Sequence, residues 1–122
     1  MYLKKKIESI RFAINGLQIA WREEPNFRLH TAITPLVILA SYFLQVPVLE
    51  FLIILSVIGI VIVAELFNTA LEELCDKFQP THDPHIAKIK DLSASAVFLA
   101  SIIAAIVGLI IFIPRAIILF TT

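Results

Sequence analysis

Long apolar runs separated by short polar segments dominate the chain. No Asp, Glu, Lys or Arg occurs in 29–49 or 92–113, and either run could form the helix of about 20 residues that crosses roughly 30 Å of bilayer hydrocarbon. A third run, 51–64, is shorter, but a helix that begins near Pro47 rises about 27 Å by Glu65. The pattern therefore predicts three membrane-spanning helices, over about 29–46, 48–76 and 90–113, with a tight turn at 45–47.

The first 22 residues follow a different pattern. Their apolar residues recur at spacings of three and four, which places them on one stripe of a helix. The stripe consists of Leu3, Ile7, Ile10, Ile14, Leu17 and Trp21. Because basic residues lie off the stripe, we expect 1–22 to be an amphipathic helix in the membrane interface. The same stripe would also suit packing against the other helices.

The basic residues predict the orientation. Nine of the ten Lys and Arg residues precede the first apolar run or lie between the second and third, and Arg115 is the exception. Lys and Arg are retained on the cytoplasmic side of a membrane. The N-terminus and the loop over about 76–91 are therefore predicted to face the cytoplasm, and the turn at 45–47 the opposite side.

Composition supports this reading and excludes other classes. The 122 residues are 59% hydrophobic and 16% charged, which is too apolar for a soluble domain of this size. Ten basic residues balance ten acidic ones, so no net basic charge favours nucleic acid. The single cysteine, Cys75, cannot form an internal disulfide. We expect one all-α integral membrane domain over 1–122.

Polar residues interrupt the end of the second predicted spanning helix. Glu65, Asn68, Glu72 and Asp76 fall within about 80° of arc on one helix face. A carboxylate at the hydrocarbon edge is costly and usually marks a functional site. The structural alternative is that Glu65 and Asn68 hold helices together by hydrogen bonds.

Three more charged residues, Glu24, Arg28 and Lys90, are predicted on the same side of the membrane as this polar face. Mg²⁺ is usually held by one or two carboxylates together with phosphate oxygens and water. Glu24 and Glu72 could supply that pair, and Lys90 could neutralise phosphate. Alternatively, Arg28 and Lys90 would reach to the interface as ordinary membrane anchors. Neither a phosphate-binding glycine loop nor a protein-kinase motif is present, and the histidines and Cys75 lack the spacing of a zinc site.

Several short blocks form a specific pattern along nearly the whole chain. They are Trp21 with Glu24, Asn26-Phe27-Arg28, Glu65-Leu-Phe-Asn68-Thr69-Ala70-Leu-Glu72, Asp76, and Lys90-Asp91 followed by Ser93-Ala94-Ser95-Ala96-Val97. The pattern resembles the signature of the bacterial integral-membrane diacylglycerol kinases, a family that includes the undecaprenol kinases. The resemblance implies a homotrimeric bundle of three-span protomers, each with an N-terminal surface helix. It also implies active sites shared between neighbouring subunits at the cytoplasmic face of the inner membrane.

The resemblance implies roles for individual residues. Glu65 matches the catalytic base, and Glu24 and Glu72 match the glutamates that hold Mg²⁺. The implied contacts to ATP are Lys5, Glu24, Asn68, Glu72, Thr81, His82, Asp83, Lys90 and Asp91. The implied contacts to the lipid are Glu65, Asn26, Arg28 and Ala94. Lys5 stands where an arginine is usual, 81–83 departs from the usual pattern around a histidine, and the tail over 108–114 resembles the undecaprenol kinase branch.

The polar face and the resemblance together predict an ATP- and Mg²⁺-dependent lipid kinase. It would transfer the γ-phosphoryl group to the hydroxyl of undecaprenol or diacylglycerol, giving undecaprenyl phosphate or phosphatidic acid. The alternative is a non-enzymatic oligomeric membrane protein, such as a small channel or transporter subunit lined by the acidic face. A lipid phosphatase would need a nucleophile or a basic phosphate-binding motif, and neither is evident.

Overall fold

The computed structural model describes residues 1–122 and consists of four α-helices without a strand. The helices are α1 (Tyr2–Glu23), α2 (Pro25–Phe43), α3 (Val48–Phe78) and α4 (Pro84–Thr121). The predicted all-α class is confirmed. Helices α3 and α4 form the main packing contact, α2 packs on α3, and α1 contacts the other helices mainly through α2.

A proline separates α1 from α2. The residue before a proline is driven out of the helical conformation, and Glu24 is extended, with φ −114° and ψ 104°. Pro25 then occupies the first turn of α2, where its missing N–H costs no hydrogen bond. The sequence thereby places the Glu24 side chain at a corner between two helices.

Two short connections join the remaining helices. Gln45, in the turn between α2 and α3, has a positive φ of 54°. Between α3 and α4, the Asp83 carboxylate accepts hydrogen bonds from the backbone N–H groups of His85 and Ile86, at 2.8 and 3.1 Å. This is an N-cap, because it satisfies donors that the first turn of α4 leaves free.

The single chain has almost no core in the sense of a soluble protein, since only 8 of its 122 residues are buried. Helices α3 and α4 are long and apolar enough to cross a membrane. Helix α2 is not among these candidates, and its first turns carry Asn26, Arg28 and His30. A count of three crossings therefore stays a prediction.

Three hydroxyl groups within the apolar helices have partners in the same helix, whereas the buried Thr31 hydroxyl has none. Thr34, Ser41 and Ser56 each donate to the carbonyl four residues earlier, at 2.8 Å. In hydrocarbon no water can satisfy such groups, so bonding to their own helix makes them compatible with a membrane. The apolar stripe of α1 stays exposed along its whole length, so it is not core within this chain.

Helices α3 and α4 form an antiparallel hairpin with an ion pair near each end. Lys90 pairs with Asp76 beside the connecting loop. At the opposite end Arg115 lies 2.9 Å from the Glu50 carboxylate. Arg115 was the exception to the predicted charge distribution, and the structure shows that an acid of the same chain compensates its charge.

Candidate functional site

Glu65 is the only buried carboxylate in the chain, with 3% of its surface exposed. It lies on α3 and faces α2, where His30 Nε2 is 3.5 Å from Glu65 Oε1. A carboxylate removed from water is costly unless it is paired or hydrogen-bonded. This burial makes Glu65 the most constrained acid of the polar face.

Asn68 and Glu72 continue that face along α3. Asn68 Nδ2 donates to Glu72 Oε1 at 3.4 Å, a long contact that holds the amide and the carboxylate side by side. Asn68 Oδ1 is buried and accepts no hydrogen bond. An unpaired buried acceptor costs about 1–3 kcal/mol, so this oxygen is a ready partner for a donor brought by a ligand.

Glu24 brings a third carboxyl group to the same region from the corner between α1 and α2. Burial raises the pKa of Glu24, and the neighbouring charges of Glu72, Glu23 and Glu73 raise it further, while Arg28 opposes them. Carboxylates from two different elements therefore repel one another here. A bound cation would relieve that repulsion.

Arg28 has a structural use in this arrangement. Its Nη1 donates to the backbone carbonyls of Trp21 and Arg22, at 2.9 and 3.0 Å. These carbonyls belong to the last turn of α1, which a helix leaves without internal partners. Arg28 thereby connects the end of α1 to α2 and helps to define the corner that holds Glu24.

Lys90 is the cation that α4 contributes to this end of the molecule. It pairs with Asp76 of α3, which lies one turn beyond Glu72. We call Glu24, Glu65, Asn68, Glu72 and Asp76, together with Lys90, the acidic cluster. Four acids and one lysine leave it strongly negative.

Other residues with predicted roles make no side-chain hydrogen bond or ion pair with the acidic cluster. His82 and Asp91 line an open cleft of about 450 Å³ beside α4. Asp83 caps α4, and Thr81 accepts a hydrogen bond from Gln79. No side-chain hydrogen bond or ion pair connects the acidic cluster to the other predicted residues, which are Lys5, Asn26, Thr81, His82, Asp83, Asp91 and Ala94.

An apolar cleft of about 450 Å³ lies between α2, α3 and α4. His30 lies at its polar end, and its walls include Val37, Val61, Ala104 and Phe112. Because His30 also contacts Glu65, this imidazole lies between the buried carboxylate and the apolar cleft. The arrangement suits a molecule with a polar end and a long apolar chain.

The contact between His30 and Glu65 was not predicted from the sequence. The spacing of His30 from the other histidines and Cys75 excludes only a zinc site. No group of three or more His, Cys, Asp or Glu side chains is placed to hold a metal by itself. The signal that could have identified His30 is an imidazole within an otherwise charge-free run.

The sequence is similar to those of known proteins along most of its length. The sequence model of the family described as prokaryotic diacylglycerol kinase matches residues 11–112. The undecaprenol kinase of Bacillus subtilis is 33% identical over 113 residues, covering 93% of this chain and 92% of that protein. A diacylglycerol kinase of Synechocystis is 36% identical over 107 residues, covering 87% of this chain and 61% of that protein. The diacylglycerol kinase of Escherichia coli K12 is 26% identical over 100 residues, covering 82% of each chain.

The family match spans most of the chain and includes every residue of the acidic cluster. The chain belongs to the prokaryotic diacylglycerol kinase family.

Proposed function

We propose that this protein is an ATP- and Mg²⁺-dependent kinase that phosphorylates the hydroxyl of a membrane lipid at the cytoplasmic face of the inner membrane. The observation that carries the proposal is the buried Glu65 carboxylate, which belongs to the acidic cluster and contacts His30 at the boundary with the apolar cleft. ATP cannot enter hydrocarbon and the lipid cannot leave it, so their reaction requires such a boundary. The relatives are named as lipid kinases and do not favour a channel or transporter subunit.

The two ion pairs of the α3–α4 hairpin support its position in the bilayer. Glu50 and Asp76 are 26 residues apart, or about 39 Å along α3. A bilayer with its headgroups is about 40–45 Å thick. Along α3, Glu65 is about 22 Å from Glu50 and about 16 Å from Asp76, so it lies nearer to the Asp76 ion pair.

The proposed topology has three crossings, with α2 as the additional span and the N-terminus inside. In a Cys75→Ser background, a cysteine at Gln45 should react with an impermeant thiol reagent from outside the cell, and one at Thr81 only from inside. Labelling on reversed sides would overturn the orientation.

The residues present fit Mg²⁺. Only one or two protein carboxylates are needed when phosphate oxygens and water complete the octahedron. Glu24 and Glu72 supply two carboxylates from different elements, and the pKa of Glu24 is raised first by its burial and then by the charge of Glu72. When bound with ATP, Mg²⁺ would neutralise phosphate charge as the γ-phosphoryl group is transferred.

In the proposed reaction Glu65 accepts the proton of the lipid hydroxyl. The lipid oxygen forms a bond to the γ-phosphorus, the bond from that phosphorus to the β–γ bridging oxygen breaks, and ADP leaves with those electrons. A positioned base typically contributes about 10²–10⁴-fold to such a step. Lys90 and Asn68 would orient the phosphate groups, the lysine by charge and the amide by hydrogen bonding.

We propose that the protein works as a homotrimer with active sites shared between neighbouring subunits. Three features support this arrangement: few residues are buried in one chain, the stripe of α1 is exposed, and the His82–Asp91 cleft is not joined to the acidic cluster. A neighbouring copy could bring the second set of ATP-contacting residues to the first. Mixing Glu65→Gln and Asp91→Ala subunits should restore activity if the sites are shared.

Undecaprenol is the proposed acceptor, because the match to the Bacillus subtilis undecaprenol kinase covers more than nine-tenths of both proteins. The test uses purified protein with labelled ATP and Mg²⁺ in detergent micelles that contain either undecaprenol or diacylglycerol. We expect a labelled lipid product from both, with the higher kcat/KM for undecaprenol. Absence of any labelled lipid would overturn the kinase proposal, and preference for diacylglycerol only the choice of acceptor.

A further inference from the structure

His30 is the only basic side chain that the structure places against Glu65. The two side chains approach to 3.5 Å, from His30 Nε2 to Glu65 Oε1. The other charged groups near Glu65 are the carboxylates of Glu24 and Glu72, which can accept a hydrogen bond from a lipid hydroxyl but cannot donate one to Glu65 when ionised. Among these neighbours of Glu65, the His30 imidazole is therefore the one that can donate a hydrogen bond to it.

The fold restricts where this imidazole can lie. His30 is in the second turn of α2, which begins at Pro25, and its backbone carbonyl accepts a hydrogen bond from Thr34 Oγ1 at 2.8 Å. Its side chain is 27% exposed, whereas that of Glu65 is only 4% exposed. His30 thus covers the carboxylate while one edge of the imidazole lines the apolar cleft.

The contact is longer than a normal hydrogen bond of about 2.7–3.2 Å. Hydrogen bonds at active sites without substrate are often long and shorten in the reacting complex. A neutral imidazole with its proton on Nε2 can donate to the carboxylate, so the interaction does not require a charged histidine. It would hold one oxygen of Glu65 and leave the other to face the lipid hydroxyl.

We propose that His30 is a positioning residue, which donates a hydrogen bond from Nε2 to Glu65 and orients the carboxylate toward the hydroxyl of the lipid in the apolar cleft. This inference rests on the proposed kinase function, with Glu65 as the base. His30 itself does not contact the phosphate groups, and it acts on the reaction only through Glu65.

The test compares three substitutions in the full-length protein, assayed with MgATP and undecaprenol. His30→Leu removes the donor, and kcat should fall about 10²-fold because the base is misplaced. His30→Gln can donate from nearly the same position, so it should retain at least about a tenth of the wild-type kcat. His30→Asn is polar but too short to reach, so it should resemble the leucine variant. KM for MgATP should stay within about twofold in all three.

A double-mutant cycle separates positioning from general support of the fold. In a Glu65→Gln background, His30→Leu should lower the residual rate by less than about twofold, because the group that it positions is already absent. The control is Ser41→Ala, which removes a buried polar group of α2 away from Glu65 and should leave kcat unchanged. Elution as the wild-type oligomer shows which variants are folded.

The outcomes are distinct. Wild-type kcat in His30→Leu, or equal losses in the wild-type and Glu65→Gln backgrounds, would overturn the role of His30 but not the kinase function. If the leucine variant does not fold, the glutamine and asparagine variants decide, since equal activity in these two contradicts a hydrogen bond that depends on reach. Absence of lipid phosphorylation in the wild-type protein would instead overturn the proposed function.

Discussion

The two ends of the α3–α4 hairpin both carry charged residues, but they use them differently. At one end the single acid Glu50 meets the single cation Arg115 at 2.9 Å. At the other end the carboxyl groups of Glu24, Glu65 and Glu72 are close enough to repel one another, and Asn68 leaves a buried oxygen without a partner. The first end is complete by itself, whereas the second has excess negative charge and an open hydrogen-bond acceptor.

The comparison distinguishes polar residues that join two helices from polar residues that form a functional site. A protein that only needed to join two helices would balance its charges, as Glu50 and Arg115 do. Carboxylates that repel one another lower the stability of the folded protein unless a bound ligand neutralises their charge. Such uncompensated charge is typical of sites that bind cations or transfer protons. Substitutions at the two ends should therefore have different consequences, with the larger losses of activity at the acidic cluster.

Glu65→Gln should give the largest loss of activity. Glutamine keeps the shape and a hydrogen-bonding oxygen but cannot accept the proton of the lipid hydroxyl, so turnover should fall about 10²–10⁴-fold. ATP binding, measured with a fluorescent analogue, should survive. Glu73→Gln is the control, because this neighbouring acid is exposed and lies off the polar face. Retention of more than about a tenth of the turnover would contradict the role of base.

Glu24→Gln and Glu72→Gln should reduce the use of MgATP. Each removes one of the two carboxylates that the cation would contact, so we expect a rise of about tenfold or more in the Mg²⁺ concentration needed for half-maximal rate. Glu8→Gln changes an exposed acid of α1 that does not act on Glu24, and it should leave that concentration unchanged. Normal Mg²⁺ dependence in both variants would remove the pair from the site.

The environment of Glu24 also predicts a dependence on pH. Its pKa is raised, first by burial and then by Glu72, so it becomes protonated at a higher pH than an ordinary glutamate. The Mg²⁺ requirement should increase as the pH falls through that raised value, and this change should be smaller in Glu24→Gln. A parallel pH dependence in the two proteins would show that another group is responsible.

The raised pKa of Glu24 also affects the stability of the folded protein. A carboxyl whose pKa is raised on folding destabilises the folded protein as the pH rises from the unfolded value, about 4.3, to the folded one. Without Mg²⁺, Glu24→Gln should therefore unfold at a higher temperature than the wild type near neutral pH, and this gain should disappear below pH of about 4. Lower thermal stability at neutral pH would show that the ionised carboxylate is favourably paired.

The sequence predicted more of the acidic cluster than of its partners. Helical periodicity alone brings Glu65, Asn68 and Glu72 to one face, and Pro25 determines the corner at Glu24. The contacts of His30 with Glu65 and of Arg115 with Glu50 depend on how separate helices pack. In a membrane protein, apolar periodicity identifies a helix but does not show which of its faces contacts a neighbouring helix.

The sequence also predicted the ends of the helices only approximately. Charge-free runs approximate the segment of a helix that lies in hydrocarbon. The helices continue beyond that segment as long as their backbone hydrogen bonds are satisfied. Helix α2 thus begins at Pro25, and α4 extends from Pro84 to Thr121, well outside the apolar runs. Hydropathy indicates which part of a helix lies in hydrocarbon, whereas the capping residues determine where the helix begins and ends.

Arg115→Met should have the smallest effect and provides the other half of the comparison. It leaves Glu50 without its cation, but Glu50 is at a partly exposed helix end, where a pair of this kind contributes about 0–1 kcal/mol. We expect a small decrease in thermal stability, with kcat and KM for MgATP unchanged. Adding Glu50→Gln should recover part of that stability, because it removes the unpaired charge. A large loss of turnover in Arg115→Met with an intact oligomer would break the comparison, since it would mean that this end of the hairpin also takes part in the reaction.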